Sequence, residues 1–140
     1  SCIRTGKYAN NLGTMQNIIA IAAGGALGAL LRHYLNIRIS VAAATTFPLG
    51  IFVINVLGGF AMGTAIAWFT HIHDPGQATK SFLVVGVLGA FTTFSSFSMD
   101  AVTLLTRGAY GQAAFYILGS VTLAVAALIL AMWAVRQVAS

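Results

Sequence analysis

Four long apolar stretches, at residues 18–35, 47–69, 81–105 and 113–135, take up most of this 140-residue chain. About twenty apolar residues let a helix cross the hydrocarbon of a bilayer, where lipid offers no partner to a free peptide group. The pattern predicts an all-α integral membrane protein with four transmembrane helices, in a single domain over 15–140. Composition agrees: 59% of the residues are hydrophobic and 6% charged, whereas about a quarter are charged in a soluble domain. The connectors at 36–46, 71–80 and 106–112 are too short to hold a soluble domain. Residues 1–14 are polar and precede Met15, so they read as a polar leader or cloning remnant with no role in the fold.

Two carboxylates, Asp74 and Asp100, stand against seven Lys and Arg. The basic residues are scattered singly, which argues against nucleic acid as a partner, since that needs them clustered on one face. One cysteine, Cys2, excludes an internal disulfide, and His71 and His73 beside Asp74 are too weak a constellation to be assigned a metal. With four spans, Arg4, Lys7, Lys80 and Arg136 share one side and Arg32, Arg38 and Arg107 the other. That is four against three, or two against three without the leader. Orientation is normally set by a clear excess of positive charge on the cytoplasmic side. A chain this balanced can insert both ways and pair with an inverted copy of itself; chance balance in a short protein is the plainer reading.

Glycine occurs 15 times, mostly inside the apolar stretches. Gly24-x-x-x-Gly28 and Gly59-x-x-x-Gly63 fit the small-residue pattern that lets membrane helices approach closely. Four helices enclose little interior, so an aqueous path calls for more than one subunit.

The polar groups concentrate in one place. Residues 89–98 read Gly-Ala-Phe-Thr-Thr-Phe-Ser-Ser-Phe-Ser, and hydroxyls at membrane depth must face protein or a water-filled path. Phe91, Phe94 and Phe97 recur every three residues along one side, with Thr92, Ser95 and Ser98 offset by one position. Gly86, Gly89 and the pair Thr92-Thr93 make this the point where the third span breaks most readily. A break frees carbonyls and amides of the kind that coordinate ions in channels and transporters. Phenyl edges are weakly electropositive, so ring edges, the Asn55 amide and these hydroxyls together form a neutral surface for a small anion. Asn55 reads equally as interhelical glue. Tyr116 and Ser120 are either a polar track facing the phenylalanines or ordinary helix-to-helix hydrogen bonding. Arg32, near the end of the first span, is either a vestibule residue or one that snorkels to the interface. Trp68 and Trp133 read as interfacial anchors.

The run 89–98, with Asn55 in the preceding span and Gly24-Gly25 and Arg32 in the first, resembles the Fluc (CrcB) family of fluoride channels over nearly all of 15–135. The resemblance implies an antiparallel, dual-topology homodimer in the cell inner (plasma) membrane, with two narrow pores that export toxic fluoride passively and no enzymatic chemistry. It implies fluoride and a second copy of the chain as partners. As cofactor it implies a structural sodium ion (Na+) at the dimer centre, held by backbone carbonyls at the break in the third helix. By the same resemblance Phe94 and Phe97 are the paired pore phenylalanines, Asn55 the pore asparagine, and Ser95 and Ser98 nearby pore hydroxyls. Tyr116 and Ser120 match the polar track, Arg32 the vestibule, and Gly89 and Thr92 the sodium carbonyls. Asp100 stands where relatives usually carry Glu. Ile51 replaces a Thr of some relatives, Phe91 replaces a smaller aliphatic residue, and Ala124 leaves the track one hydroxyl short. The rival reading is a small proton-coupled multidrug exporter of dual topology. That mechanism needs a membrane-embedded carboxylate, yet the first span has none and Asp100 lies toward the end of the third. A third reading is a non-conducting assembly subunit.

Overall fold

The computed structural model describes residues 2–140, with side chains from residue 11 onward, so Ser1 and the side chains of Cys2, Arg4 and Lys7 lie outside the described residues. Helix α1 runs Cys2–Ala43 and α2 Leu49–His71. The third span begins as α3 (Gln77–Lys80), winds as a π-helix through Ser81–Leu88, and resumes as α4 (Gly89–Phe91) and α5 (Phe94–Thr106); α6 is Tyr110–Ala139. Four helical stretches, Asn11–Ala43, Leu49–His71, Gln77–Thr106 and Tyr110–Ala139, are long and apolar enough to cross a membrane. No strand occurs among the described residues.

The first helix departs from expectation. Asn36 and Arg38 suggest a connector at 36–46, yet α1 continues to Ala43. Both side chains find partners that let the helix run on. Arg38 lies over the Tyr34 ring, 6.0 Å from its centroid, and Asn36 Oδ1 rests against Gly50, where a side chain would collide. Arg32 is therefore eleven residues short of the end of α1, about 16 Å along the axis, and not near a helix terminus.

Glycine decides which helices touch. α1 packs on the π-helical stretch, and α2 on α6. A Cβ added at Gly24 or Gly28 would run into the backbone carbonyls of Phe82 or Val87, and one at Gly59 would lie 2.6 Å from the Ala124 carbonyl. Lipid is as apolar as a leucine, so this close backbone contact, and not water exclusion, holds the helices together. Between α2, α5 and α6 a core of Ile54, Phe97, Leu104 and Tyr116 forms, continued by the rings of Phe47 and Phe52.

Candidate functional site

Phe91 ends α4 and Phe94 begins α5. Between them Thr92 (φ −81°, ψ 152°) and Thr93 (φ −149°, ψ 120°) are extended, so the helical ladder lapses at mid-span. Unpaired peptide groups are costly there, and most of the freed ones find partners. The Thr92 N–H and hydroxyl both donate to the Leu88 carbonyl, each at 3.1 Å. Thr93 Oγ1 accepts the Ser96 N–H at 3.2 Å and so caps α5. Asn55, from α2, clasps the Thr93 backbone: its Oδ1 accepts the N–H at 2.9 Å and its Nδ2 donates to the carbonyl at 3.3 Å. From α1, Arg32 Nη1 donates to the Ala90 carbonyl at 2.6 Å. The Thr93 N–H that would close the helical ladder on Gly89 is taken by Asn55. No hydrogen bond to the Gly89 or Thr92 carbonyl is seen among the described residues outside regular helix.

Beside this interruption runs a groove of about 380 Å³, lined by Asn55, Thr93, Phe94, Phe97, Ser120 and Ala124 among others. The Phe94 and Phe97 rings lie 5.6 Å apart at 37°. Phe97 is buried, whereas Phe94 is 79% exposed. Ser120 Oγ is buried with no hydrogen-bond partner. The groove thus brings together five of the site residues expected from the sequence: Asn55, Thr92, Phe94, Phe97 and Ser120.

The other expected residues lie around it. Tyr116 is wholly buried; its ring stacks on Phe97 at 5.3 Å and its hydroxyl donates to Asp100 Oδ2 at 3.0 Å. Ser98 Oγ donates to the Phe94 carbonyl at 2.9 Å, and Ser95 Oγ shares a hydrogen bond of 3.3 Å with Thr93 Oγ1. Arg32 sits at the Ala90 carbonyl, and Ile51 is buried in the core. The lapse at Thr92-Thr93 also divides the phenylalanine register: Phe91 belongs to α4 and is buried near Gly58, while Phe94 and Phe97 belong to α5. The sequence marks Thr93 as part of the break, but neither its role as the cap of α5 and partner of Asn55 nor the Asp100 partnership was read from it. A Thr three residues before Ser96, at the head of an apolar periodic run, is a helix-start signal that could have flagged Thr93.

No charged side chain lines the groove. In the connector after α2, the Gly76 N–H and the Lys80 ammonium, each 2.9 Å from the Asp74 carboxylate, hold its pKa below the ordinary value. Among the described residues no group of three or more His, Cys, Asp and Glu is placed to hold a metal ion.

Four membrane-length helices define a multi-pass membrane protein, and its uncharged groove sets amide, hydroxyl and phenyl groups among aliphatic side chains such as Met62, Val121 and Leu128. The chain belongs to the CrcB family: the family described as "CrcB-like protein, Camphor Resistance (CrcB)" matches residues 19–132. Among its relatives is a protein named "Fluoride-specific ion channel FluC" from Rhodospirillum centenum, 44% identical over 81% of this chain and 90% of the relative. Proteins of the same name from Rhodopseudomonas palustris (42% identical, 86% of this chain, 97% of the relative) and Ruegeria sp. (46%, 86% and 95%) are similar to it as well. These relatives are ion channels, not enzymes.

Proposed function

We propose that this chain is a fluoride-selective channel that lets F− leave the cell passively, and so protects against fluoride toxicity, as an antiparallel homodimer with two pores. The observation that carries the reading is the groove itself. Asn55, Phe94, Phe97 and the unpartnered Ser120 hydroxyl meet there, in a chain whose relatives bear the name of fluoride-specific channels.

An anion entering hydrocarbon needs donors in place of its water, because an isolated charge there costs on the order of tens of kcal/mol. The Asn55 amide carries two hydrogens and gives one to the Thr93 carbonyl, leaving the other for a ligand. Ser120 has its hydroxyl proton unspent, and the Phe94 and Phe97 ring edges add weak positive character without a full charge. Such a surface attracts a small hard anion yet lets it go, as conduction requires. Chloride is larger and a poorer hydrogen-bond acceptor, so width and donor strength both disfavour it. Tyr116 supports the Phe97 ring from behind, and Ser95 and Ser98 brace the first turn of α5. Arg32 sets a positive charge beside the interruption, favouring anions in an adjoining vestibule.

Two features support a second, inverted copy. Phe94 is left uncovered beside hydroxyl-bearing residues. With Arg32 engaged inside the fold, the basic residues from position 15 onward divide into Lys80 and Arg136 against Arg38 and Arg107, an even balance that specifies neither orientation. The Gly89 and Thr92 carbonyls also suit a sodium ion, since neutral carbonyls of unwound membrane helices are donors of the type that coordinates Na+. A partner copy would double the set. Held by these carbonyls, the ion would supply a positive charge at the interruption. Against the multidrug exporter, the one carboxylate within the spans, Asp100, is occupied by the Tyr116 hydroxyl.

The test is release from liposomes loaded with fluoride and chloride, followed by halide-selective electrodes. Fast fluoride loss with chloride retained, and no dependence on a proton gradient, is expected. Equal release of both halides overturns the reading.

A further inference from the structure

The rings of the groove continue outward to one, Phe47, that has no part in the mechanism above. Phe47 stands at the entry to α2, and its ring meets Tyr116 edge to face at 5.7 Å and 82°. Tyr116 stacks on Phe97 at 5.3 Å and 24°, and Phe97 touches Phe94 at 5.6 Å. Four rings in sequence therefore join the connector between α1 and α2 to the interruption of the third span.

The head of this row is pinned. The Phe47 N–H donates to Thr45 Oγ1 at 3.2 Å, and its carbonyl accepts the Leu49 N–H at 2.7 Å. Pro48, which follows, restricts the Phe47 backbone further. Arg107 Nη2, from the connector between α5 and α6, donates to the Thr46 carbonyl at 3.1 Å. The tail is different: Phe94 has little around it.

We infer that Phe47 is a positioning residue for Phe97, acting through Tyr116. The inference rests on the channel reading above. Aromatic pairs at these distances prefer offset-stacked or edge-to-face geometry, so each ring restricts the next. Tyr116 is held at its hydroxyl by Asp100 and can still pivot about that bond. The Phe47 ring restrains the pivot edge-on and Phe97 stacks on the Tyr116 ring, while Phe52 lies farther off, at 6.3 Å and 39°. Without Phe47, Tyr116 relaxes into the vacated space and Phe97, stacked on it, loses its support. Phe97 lines the groove, so the width offered to an anion changes although Phe47 itself lines nothing.

The control lies in the same cluster. Phe115 touches Phe47 at 5.7 Å and Phe52 at 5.9 Å, and pairs directly with neither Tyr116 nor Phe97 among the described residues. Removing it deletes a ring of equal size from the same packing.

The experiment measures fluoride and chloride release from liposomes for wild type, Phe47→Ala, Phe47→Leu, Phe47→Tyr and Phe115→Ala, with thermal unfolding of each in detergent. Phe47→Ala and Phe47→Leu are expected to slow fluoride release by roughly tenfold, the scale of one lost ring pair, and to lower the fluoride-to-chloride ratio. Phe47→Tyr restores both, and Phe115→Ala leaves both at the wild-type value. If the Ala variant does not fold, the Leu variant carries the same expectation. Release and selectivity unchanged in the Leu variant, or equally shifted by Phe115→Ala, overturn the inference and leave the channel reading standing. A wild type that releases both halides alike overturns the channel reading, and the inference with it.

Discussion

Asn55 and Thr93, 38 residues apart, form a closed pair in which both polar ends of one side-chain amide meet the N–H and the carbonyl of a single residue. Asn55 does for an extended residue what a neighbouring strand does in a sheet. Extended backbone inside a membrane helix bundle is tolerable on that condition.

Replacing Asn55 by Leu leaves two backbone groups without partners, at a cost of about 2–4 kcal/mol. Asn55→Asp keeps the acceptor for the Thr93 N–H but loses the donor, so its loss should be smaller if the acid is protonated and larger if it is ionised. Unfolding in mixed detergent micelles measures both. A Leu variant as stable as wild type would show that the pair contributes nothing.

Phe94→Ile tests the groove without disturbing the fold. The ring is 79% exposed, so the change should leave the stability of the chain within about 0.5 kcal/mol of wild type. Fluoride release from liposomes should nonetheless fall by an order of magnitude or more, because the ring edge is lost. A variant as fast as wild type removes Phe94 from the path.

Neighbouring glycines on α1 should behave oppositely. A methyl at Gly28 meets the Val87 carbonyl, while one at Gly25 meets nothing within 4 Å. Gly28→Ala should destabilise by about 1–3 kcal/mol, and Gly25→Ala should be neutral or slightly stabilising through helix propensity. Equal melting points for the two would mean that the helices do not touch at Gly28.

The connector after α2 carries a pH signature. Because the Gly76 N–H and Lys80 lower the Asp74 pKa, the folded loop gains stability above the unfolded value of 3.8 and loses it as pH falls through the lower folded value. The pair is open to water and its contribution small. An NMR titration of the Gly76 amide in micelles should show a midpoint under 3.8, and a midpoint above it contradicts the contacts.

The spans were legible because apolar length is a property of the sequence itself, and so was the concentration of hydroxyls at 89–98. Their ends were less so. Asn36 and Arg38 look like loop residues until Gly50 and the Tyr34 ring are seen to receive them. The same error put Arg32 at a helix end, although it reaches the Ala90 carbonyl in the middle of another span. Backbone partners leave no trace in residue types: the sequence says that Asn55 needs a partner but not that the partner is the peptide of Thr93. The spacing of Phe91, Phe94 and Phe97 suggested one continuous stripe, and two extended residues assign its members to different helices. The π-helical winding of Ser81–Leu88 has no residue signature at all.

A chain that leaves the Phe94 ring bare, next to hydroxyls that oil solvates poorly, delegates the finishing of its own surface to whatever molecule lies alongside. A change at that ring would leave the chain's own packing nearly untouched and register only against what lies alongside it.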